Sequence, residues 1–378
     1  MKFLLIYVPN LRFNGYTENW QKYRTIELGK MQRGKSKHRP RDDEKLYGGT
    51  YPFIQTGDIK KANLYIREYE RTYSNYGLSQ SKLWSKGTLC ITIAANIAET
   101  AILGLNACFP DSVIGWISND KITNNIFIKY YFDFYKTQLK RLSVGGAQEN
   151  LNLDKLENVY FNIPTLSEQN DITNLLTKID ELIDTQSKII NDLKAQNNYI
   201  IHSIFSKLNS KLVLITDIAE IYQPQTISSA NFDESAEFPV FGANGIIGYY
   251  EKYNHENEQI CIACRGASVG TINLSKKKSW ITGNSMVINS DNYDDIIDKK
   301  FLYYQLIFID FNKYISGSGQ PQITRESLKN LKIKVPSLEA QQLISNILNH
   351  IDLKITIELK LLCQYQLQKA FLLKNMFV

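Results

Sequence analysis

Eight residues near the N-terminus, Gly29-Lys30-Met31-Gln32-Arg33-Gly34-Lys35-Ser36, match the nucleotide-binding pattern GxxxxGK[ST]. Such a loop cradles phosphate only when a buried strand enters it and a long helix leaves it, so that backbone N–H groups and the helix N-terminus converge on the anion. Here only Thr25-Ile26-Glu27-Leu28 precedes it, and Lys37-His38-Arg39-Pro40 follows without apolar periodicity. The stretch therefore reads as a basic, glycine-containing loop suited to DNA phosphate, with Arg33, Lys35, Ser36 and Lys37 as its candidate contacts. From Lys30 to Arg41 there are six lysines and arginines, with His38 between them, and no acid. Lysine and arginine on a phosphate backbone release counterions without needing a fixed cradle. Lys277, inside Lys276-Lys277-Lys278, is a second candidate of this kind.

Other loops carry groups suited to base edges. Gln55-Thr56-Gly57-Asp58 and its counterpart Gly242-Ala243-Asn244-Gly245 put amide and hydroxyl groups on tight glycine turns. Arg265-Gly266-Ala267-Ser268 offers Arg265 for bidentate contact with guanine. Gly145-Gly146-Ala147-Gln148 and Gly317-Ser318-Gly319-Gln320, the latter followed by Gln322, stand shortly before two long helical stretches. No chemistry of the chain's own is expected. It lacks a glycine-rich cofactor loop after a strand and an Asn/Asp-Pro-Pro-aromatic run for a flipped base. No nuclease carboxylate-lysine cluster or Ser/His/Asp set is convincingly positioned. Cys261 and Cys264 form one CxxC without a second ligand pair, so they read as buried thiols in a strand, and no metal is expected.

The elements that position these loops come in two copies. From Gly145 to Phe205 the sequence recurs, without a gap, 172 residues later from Gly317 to Phe377. Leu166 matches Leu338, Gln169 matches Gln341, and Ile179-Asp180 matches Ile351-Asp352. A repeat this long means a duplicated architecture with a pseudo-two-fold axis. Within it, apolar residues recur at alternating steps of four and three through Ile172, Leu176, Ile179, Ile183, Ile190, Leu193, Ile200 and Ile204, interrupted by Gln186 and Asn197. The second copy has Ile344, Leu348, Ile351, Ile355, Leu362, Tyr365, Leu372 and Met376, interrupted at the same two positions by Glu358 and Lys369. This is a coiled-coil seam rather than the wider stripe of a globular helix. About 40 residues make a rod of about 60 Å.

Polar seam residues fix register, because a slipped pairing buries each one against hydrocarbon. If the helices pair antiparallel, one register sets polar opposite polar: Gln186 faces Lys369 and Asn197 faces Glu358. Ile183 then meets Leu372, Leu193 meets Leu362 and Ile200 meets Ile355. The segments before each helix are rich in short β-branched and aromatic runs broken by Gly, Asn and Asp, the texture of mixed α/β domains. They correspond weakly: Thr50–Ile59 with Glu237–Ile246, the strand from Cys90 with that from Ile260, and Pro110 onward with Gly283 onward. Framework kept and loops diverged suggests two like-shaped modules contacting different ligands.

The 378 residues suit two or three domains, and the net charge of +6 leans toward an anionic partner. The opening MKFLLIYVPN is too short to span a bilayer and no small-residue cleavage site follows, so a cytoplasmic protein without membrane contact is expected.

Through VPNLRF near Val8, YGGTYPFIQTGDI, GGAQENLNLDKLENVYFNIPTLSEQ, FPVFGANGIIGYYEKY and SGSGQPQITRESLKNLKIKVPSLEAQQ, essentially the whole chain resembles the specificity subunits of type I restriction–modification systems. The resemblance implies an α+β fold. Two mixed α/β target recognition domains (residues 1–160 and 211–335) are separated by two long spacer helices (161–210 and 336–378) that form an antiparallel coiled coil. Each domain would read one half of a bipartite site on double-stranded DNA, with the helices fixing the spacing. It further implies two modification subunits that bind S-adenosylmethionine and two restriction subunits that use ATP with magnesium, this chain holding no cofactor itself. The rival readings are a P-loop NTPase and a coiled-coil adaptor without sequence-specific DNA binding.

Overall fold

The computed structural model describes residues 8–143, 151–266, 268–316 and 321–378. Contacts divide the chain into two units, one built from residues up to Lys188 together with Lys360–Val378, the other from Ile189–Leu359.

In the first unit the strands are β1 (Gln21–Arg24), β2 (Gly29–Arg33), β3 (Tyr47–Phe53), β4 (Tyr65–Ile66), β5 (Arg71–Tyr73), β6 (Leu89–Thr92), β7 (Thr100–Leu103), β8 (Val113–Ser118) and β9 (Tyr160–Ile163). Helix α1 (Thr56–Lys61) follows β3, and α2 (Asn125–Ser143) follows β8. The main sheet has the order β2-β8-β6-β7-β4. Its central strands are short apolar runs, LCIT and TAIL, buried at every residue. Helix α2 covers β6, β7 and β8, and its Phe132 meets Trp116 of β8 edge-on at 5.8 Å. Strands β3 and β5 form a separate ribbon.

The second unit repeats the plan with β10 (Lys211–Leu214), β11 (Glu220–Tyr222), β12 (Phe238–Gly242), β13 (Gly245–Tyr250), β14 (Ile260–Ala263), β15 (Ile272–Leu274), β16 (Trp280–Ile281), β17 (Ser285–Asn289) and β18 (Lys332–Val335). The antiparallel pair β14–β15 with β17 alongside answers β6–β7 with β8. The antiparallel pair β10–β18 likewise answers β1–β9. The weak sequence correspondences from Cys90 and Ile260 are thus the same two strands in each unit. After Pro52 and Pro239, which the correspondence of Thr50–Ile59 with Glu237–Ile246 aligns, the units diverge: β3 leads into a helix, whereas β12 turns back through a hairpin into β13.

Each unit then enters its long helix in the same manner, α3 (Leu166–Lys207) after β9 and α5 (Leu338–Met376) after β18, with α4 (Lys299–Phe308) standing where α2 stood. A buried glutamine makes the junction. Gln169 donates to the carbonyls of Pro164 and Ile122 at 2.9 and 2.8 Å and accepts from Thr123 at 2.8 Å. Gln341 donates to Pro336 and Ile296 at 2.9 and 3.0 Å and accepts from the Asp298 N–H at 2.8 Å. A buried amide keeps its place only when its hydrogen-bonding capacity is met, and each copy meets it with two carbonyl acceptors and one donor.

None of the seam positions of α3 or α5 is exposed, and Gln186 and Asn197 are among the buried polar residues. Ile172, Leu176, Ile179, Ile183, Leu372 and Met376 belong to the first core, with Leu362 and Tyr365 packed on it. Leu348 belongs to the second, with Ile200, Ile204 and Ile344 packed on it. Two seam residues take partners that the heptads do not name: Lys369 pairs with Asp180 at 2.6 Å, and Asn197 donates to Asp352 at 2.9 Å. The reason is that each carboxylate flanks the seam beside Ile179 or Ile351 and reaches across it. The two contacts are repeat-mates, and they run antiparallel. Each aspartate also accepts from a tyrosine of its own unit, Tyr130 or Tyr304, at 2.7 Å.

Among the described residues no helix is long and apolar enough to cross a membrane, and no cluster of His, Cys, Asp and Glu is arranged to hold a metal.

Candidate nucleic-acid interface

The nucleotide-loop pattern folds as something else. Gly29–Arg33 is strand β2, paired residue for residue with β8, and the next glycine lies against Phe109 and Pro110, whose backbone a Cβ at Gly34 would strike. An extended edge strand pressed on its neighbour leaves no concave nest for a triphosphate. Beyond it the chain is pinned by Lys35 N–H to Phe109 O at 3.2 Å and Lys37 N–H to Gln80 O at 3.1 Å. Arg33, Lys35 and Lys37 are exposed, and Ser36 is half-buried. Of the remaining basic run, Arg41 is paired at the surface with Asp111, its Nη2 donating to both carboxylate oxygens at 2.8 and 2.9 Å.

Gln55-Thr56-Gly57-Asp58 is the first turn of α1, not a glycine turn. Gly57 is helical, and Asp58, buried, accepts the Gln55 N–H at 2.8 Å as an N-terminal cap. Asp58 is therefore committed to the backbone. Gln55 and Thr56 stay half-exposed, and with Ser36 they line a cavity of about 290 Å³. Its other walls were not anticipated from sequence: Tyr47 and Phe53 of β3, Arg71 and Tyr73 of β5, and Arg41. The Phe53 and Tyr73 rings stack at 4.0 Å, and the Arg71 guanidinium lies 5.1 Å from the Tyr47 ring centre. Burial pushes the Tyr73 phenol up to about 12, partly offset by its hydrogen bond with Ser36, so it stays protonated.

In the second unit Gly242-Ala243-Asn244-Gly245 is the tip of the β12–β13 hairpin, with Gly245 at φ +114°, where a side chain is strained. Asn244 is exposed there. Arg265 and Gln322 come together as an antiparallel bridge, supported by Ile323 N–H to Cys264 O at 3.1 Å. Arg265, Gly266 and Gln322 are exposed and Ser268 half-buried beside them. The first unit makes the matching backbone contact, Leu151 N–H to Ile93 O at 3.1 Å, but its loop Ala94–Glu99 carries no basic residue. Gln148, Ala267 and Gln320 lie outside the described residues. Cys261 lies in β14 and Cys264 just after it, both buried, and burial pushes the Cys261 thiol up to about 12, as inert core thiols require.

Lys277 is exposed on the loop between β15 and β16, which His255 braces. The imidazole lies with its plane within 9° of the Tyr222 ring plane and shares a 2.8 Å hydrogen bond with its hydroxyl, while Ser279 N–H donates to His255 O. Burial holds the His255 pKa below its ordinary 6.5, with Asp291 opposing. A group depressed in the folded state contributes stability above its unfolded pKa and loses it as pH falls through the folded one. Thermal unfolding of the second unit is therefore expected to shift down as pH drops below 6.5, and a His255→Asn variant should show a smaller part of that shift.

A family model described as the type I restriction modification DNA specificity domain matches this chain twice, over residues 17–195 and 208–364. The chain belongs to that family. It is a type I specificity subunit, the DNA-recognising and non-catalytic member of its system. This specificity subunit is 23% identical over 327 residues to the EcoprrI specificity subunit of Escherichia coli, covering 80% of each chain. It is 22% identical over 399 residues to the MjaVIII specificity subunit of Methanocaldococcus jannaschii, covering 93% of this chain and 90% of that one. Its fold matches the S subunit of M. genitalium with a TM-score of 0.70 at 19% identity, over 98% and 99% of the two chains.

Proposed function

We propose that the two units are two readers of one bipartite DNA site, residues 1–160 and 211–335 each taking one half and the spacer segments 161–210 and 336–378 setting the distance. The observation that carries this is the duplicated anchorage. Tyr130 on Asp180 and Tyr304 on Asp352 tie each unit to its helix identically, while the loops that follow β3 and β12 share neither secondary structure nor charge. Identical mounting with different loops suits two different half-sites.

In this reading Arg33, Lys35, Lys37 and Lys277 supply phosphate contacts. Ser36, Gln55, Thr56, Asn244, Arg265, Ser268 and Gln322 face bases. Two modification subunits, carrying S-adenosylmethionine, dock on the helices, and two restriction subunits bring ATP and magnesium, all in the cytoplasm. Repeat-mates Tyr199 and Phe371, 73% and 60% exposed, give each helix one aromatic side chain open to such a partner.

The test is to map methylated adenines in the source genome, then replace residues 20–160 with those of a relative and map again. One half of the site is expected to change and the other to stay. If both halves changed, or neither, the assignment of one reader to each half would fail. Binding should also fall steeply with salt, whereas an adaptor without DNA contacts would show no slope.

A further inference from the structure

The cavity of the first unit is built for something other than an anion. Of its two guanidiniums Arg41 is already occupied by Asp111, and Asp42 shares the lining, so an entering phosphate would gain little beyond Arg71. The floor is aromatic: Tyr47, Phe53 and Tyr73 lie with ring centres 4.0–6.1 Å apart. At its edge stand the Gln55 carboxamide, and Arg71 laid over Tyr47. A ring floor with an amide and a guanidinium at the rim fits a neutral, planar ligand with hydrogen-bonding edges, and about 290 Å³ is at the small end of ligand pockets. A base still paired in duplex DNA presents only its edge in a groove and cannot reach the rings. A base that stacks on aromatic side chains has left the helix.

We propose that this cavity receives one nucleobase swung out of the half-site read by the first unit, stacked against its aromatic floor and read by Arg71 and Gln55. The proposal rests on the reading of residues 1–160 as a DNA reader and adds the way one position is read. Arg71 becomes a specificity-determining residue although it lies outside every loop that the sequence marks.

The test uses the full-length chain assembled with its modification subunits on a duplex carrying its mapped site. 2-Aminopurine is placed in turn at each position of the half-site assigned to residues 20–160. Emission should depart several-fold from its stacked value at one position besides the methylated adenine. Arg71→Ala, at an exposed residue, and Tyr47→Leu, which keeps apolar bulk, should each return it toward the stacked value. In methylation maps Arg71→Ala should relax preference at that position by about tenfold and leave the other half-site alone. Stacked emission at every other position, with the swap of residues 20–160 still changing one half-site, would overturn the cavity's role and spare the reader. A swap that changes neither half would remove both.

Discussion

Asp180→Ala lowers the stability of the first unit by about 3–5 kcal/mol, because it strands a buried ammonium. Asp180 is 1% exposed and holds Lys369 at 2.6 Å, while Lys369 also donates to Asn63 at 3.0 Å. Burial drives the Lys369 pKa below its ordinary value, and the nearby Lys129, itself buried on Asp133, pushes the same way. Without Asp180 only the charge of Asp133 still opposes the two effects. Replacing both partners with apolar groups removes the stranded charge, so Asp180→Ala combined with Lys369→Met should recover much of the loss. Lys369→Asn is expected to cost less than Asp180→Ala, since it copies the second unit, where Asn197 serves Asp352 at 2.9 Å. Urea unfolding of the four proteins measures this; equal losses in Asp180→Ala and in the double variant would show that the ion pair is not the cause.

Phe377→Ala is expected to cost about 3–5 kcal/mol, the range for removing a buried phenyl ring. Phe377 is buried among Trp20, Phe127, Tyr131 and Phe134, with ring centres 5.3–6.3 Å away. Beside it the Leu11 N–H donates to Asn375 O at 2.8 Å, and the Tyr131 hydroxyl donates to Val378 O. Its repeat-mate Phe205 is equally buried against Phe301 and Phe308 in the second unit. Losing the ring loosens the last turns of α5 where they seat on the first core. Hydrogen exchange should therefore accelerate over residues 366–376 while residues 338–355 keep their protection. Uniform acceleration along α5 would contradict a local anchor.

The duplication was legible because helices record their contacts periodically. The seam, the matched Ile-Asp pairs and the matched glutamines all stand at one offset, and the strands from Cys90 and Ile260 were recognisable as buried apolar runs. The partners of Lys369 and Asn197 were not, because heptad arithmetic weighs seam positions alone, and Asp180 and Asp352 act from the flank. Their tyrosines were hidden for a related reason: Tyr130 and Tyr304 precede the ungapped repeat, where loops of unequal length shift the frame. Asp58 looked like a reader because a capping carboxylate and a base-contacting one have the same local sequence; only the 2.8 Å bond to the Gln55 N–H separates them. The cavity had no signature at all. Arg71 meets Phe53 through strand pairing across an intervening helix, and no spacing rule joins them.

The central claim, two readers held at a distance set by paired helices, is tested most directly by lengthening those helices. One heptad is inserted into α3 and the matching heptad into α5, and methylated adenines are mapped in cells carrying the altered chain with its modification subunits. Seven residues lengthen a helix by about 10 Å, or about three base pairs of duplex. The account predicts both half-sites unchanged in sequence and the unread interval between them longer by about three base pairs. An altered half-site sequence, or methylation at the original spacing, would contradict it.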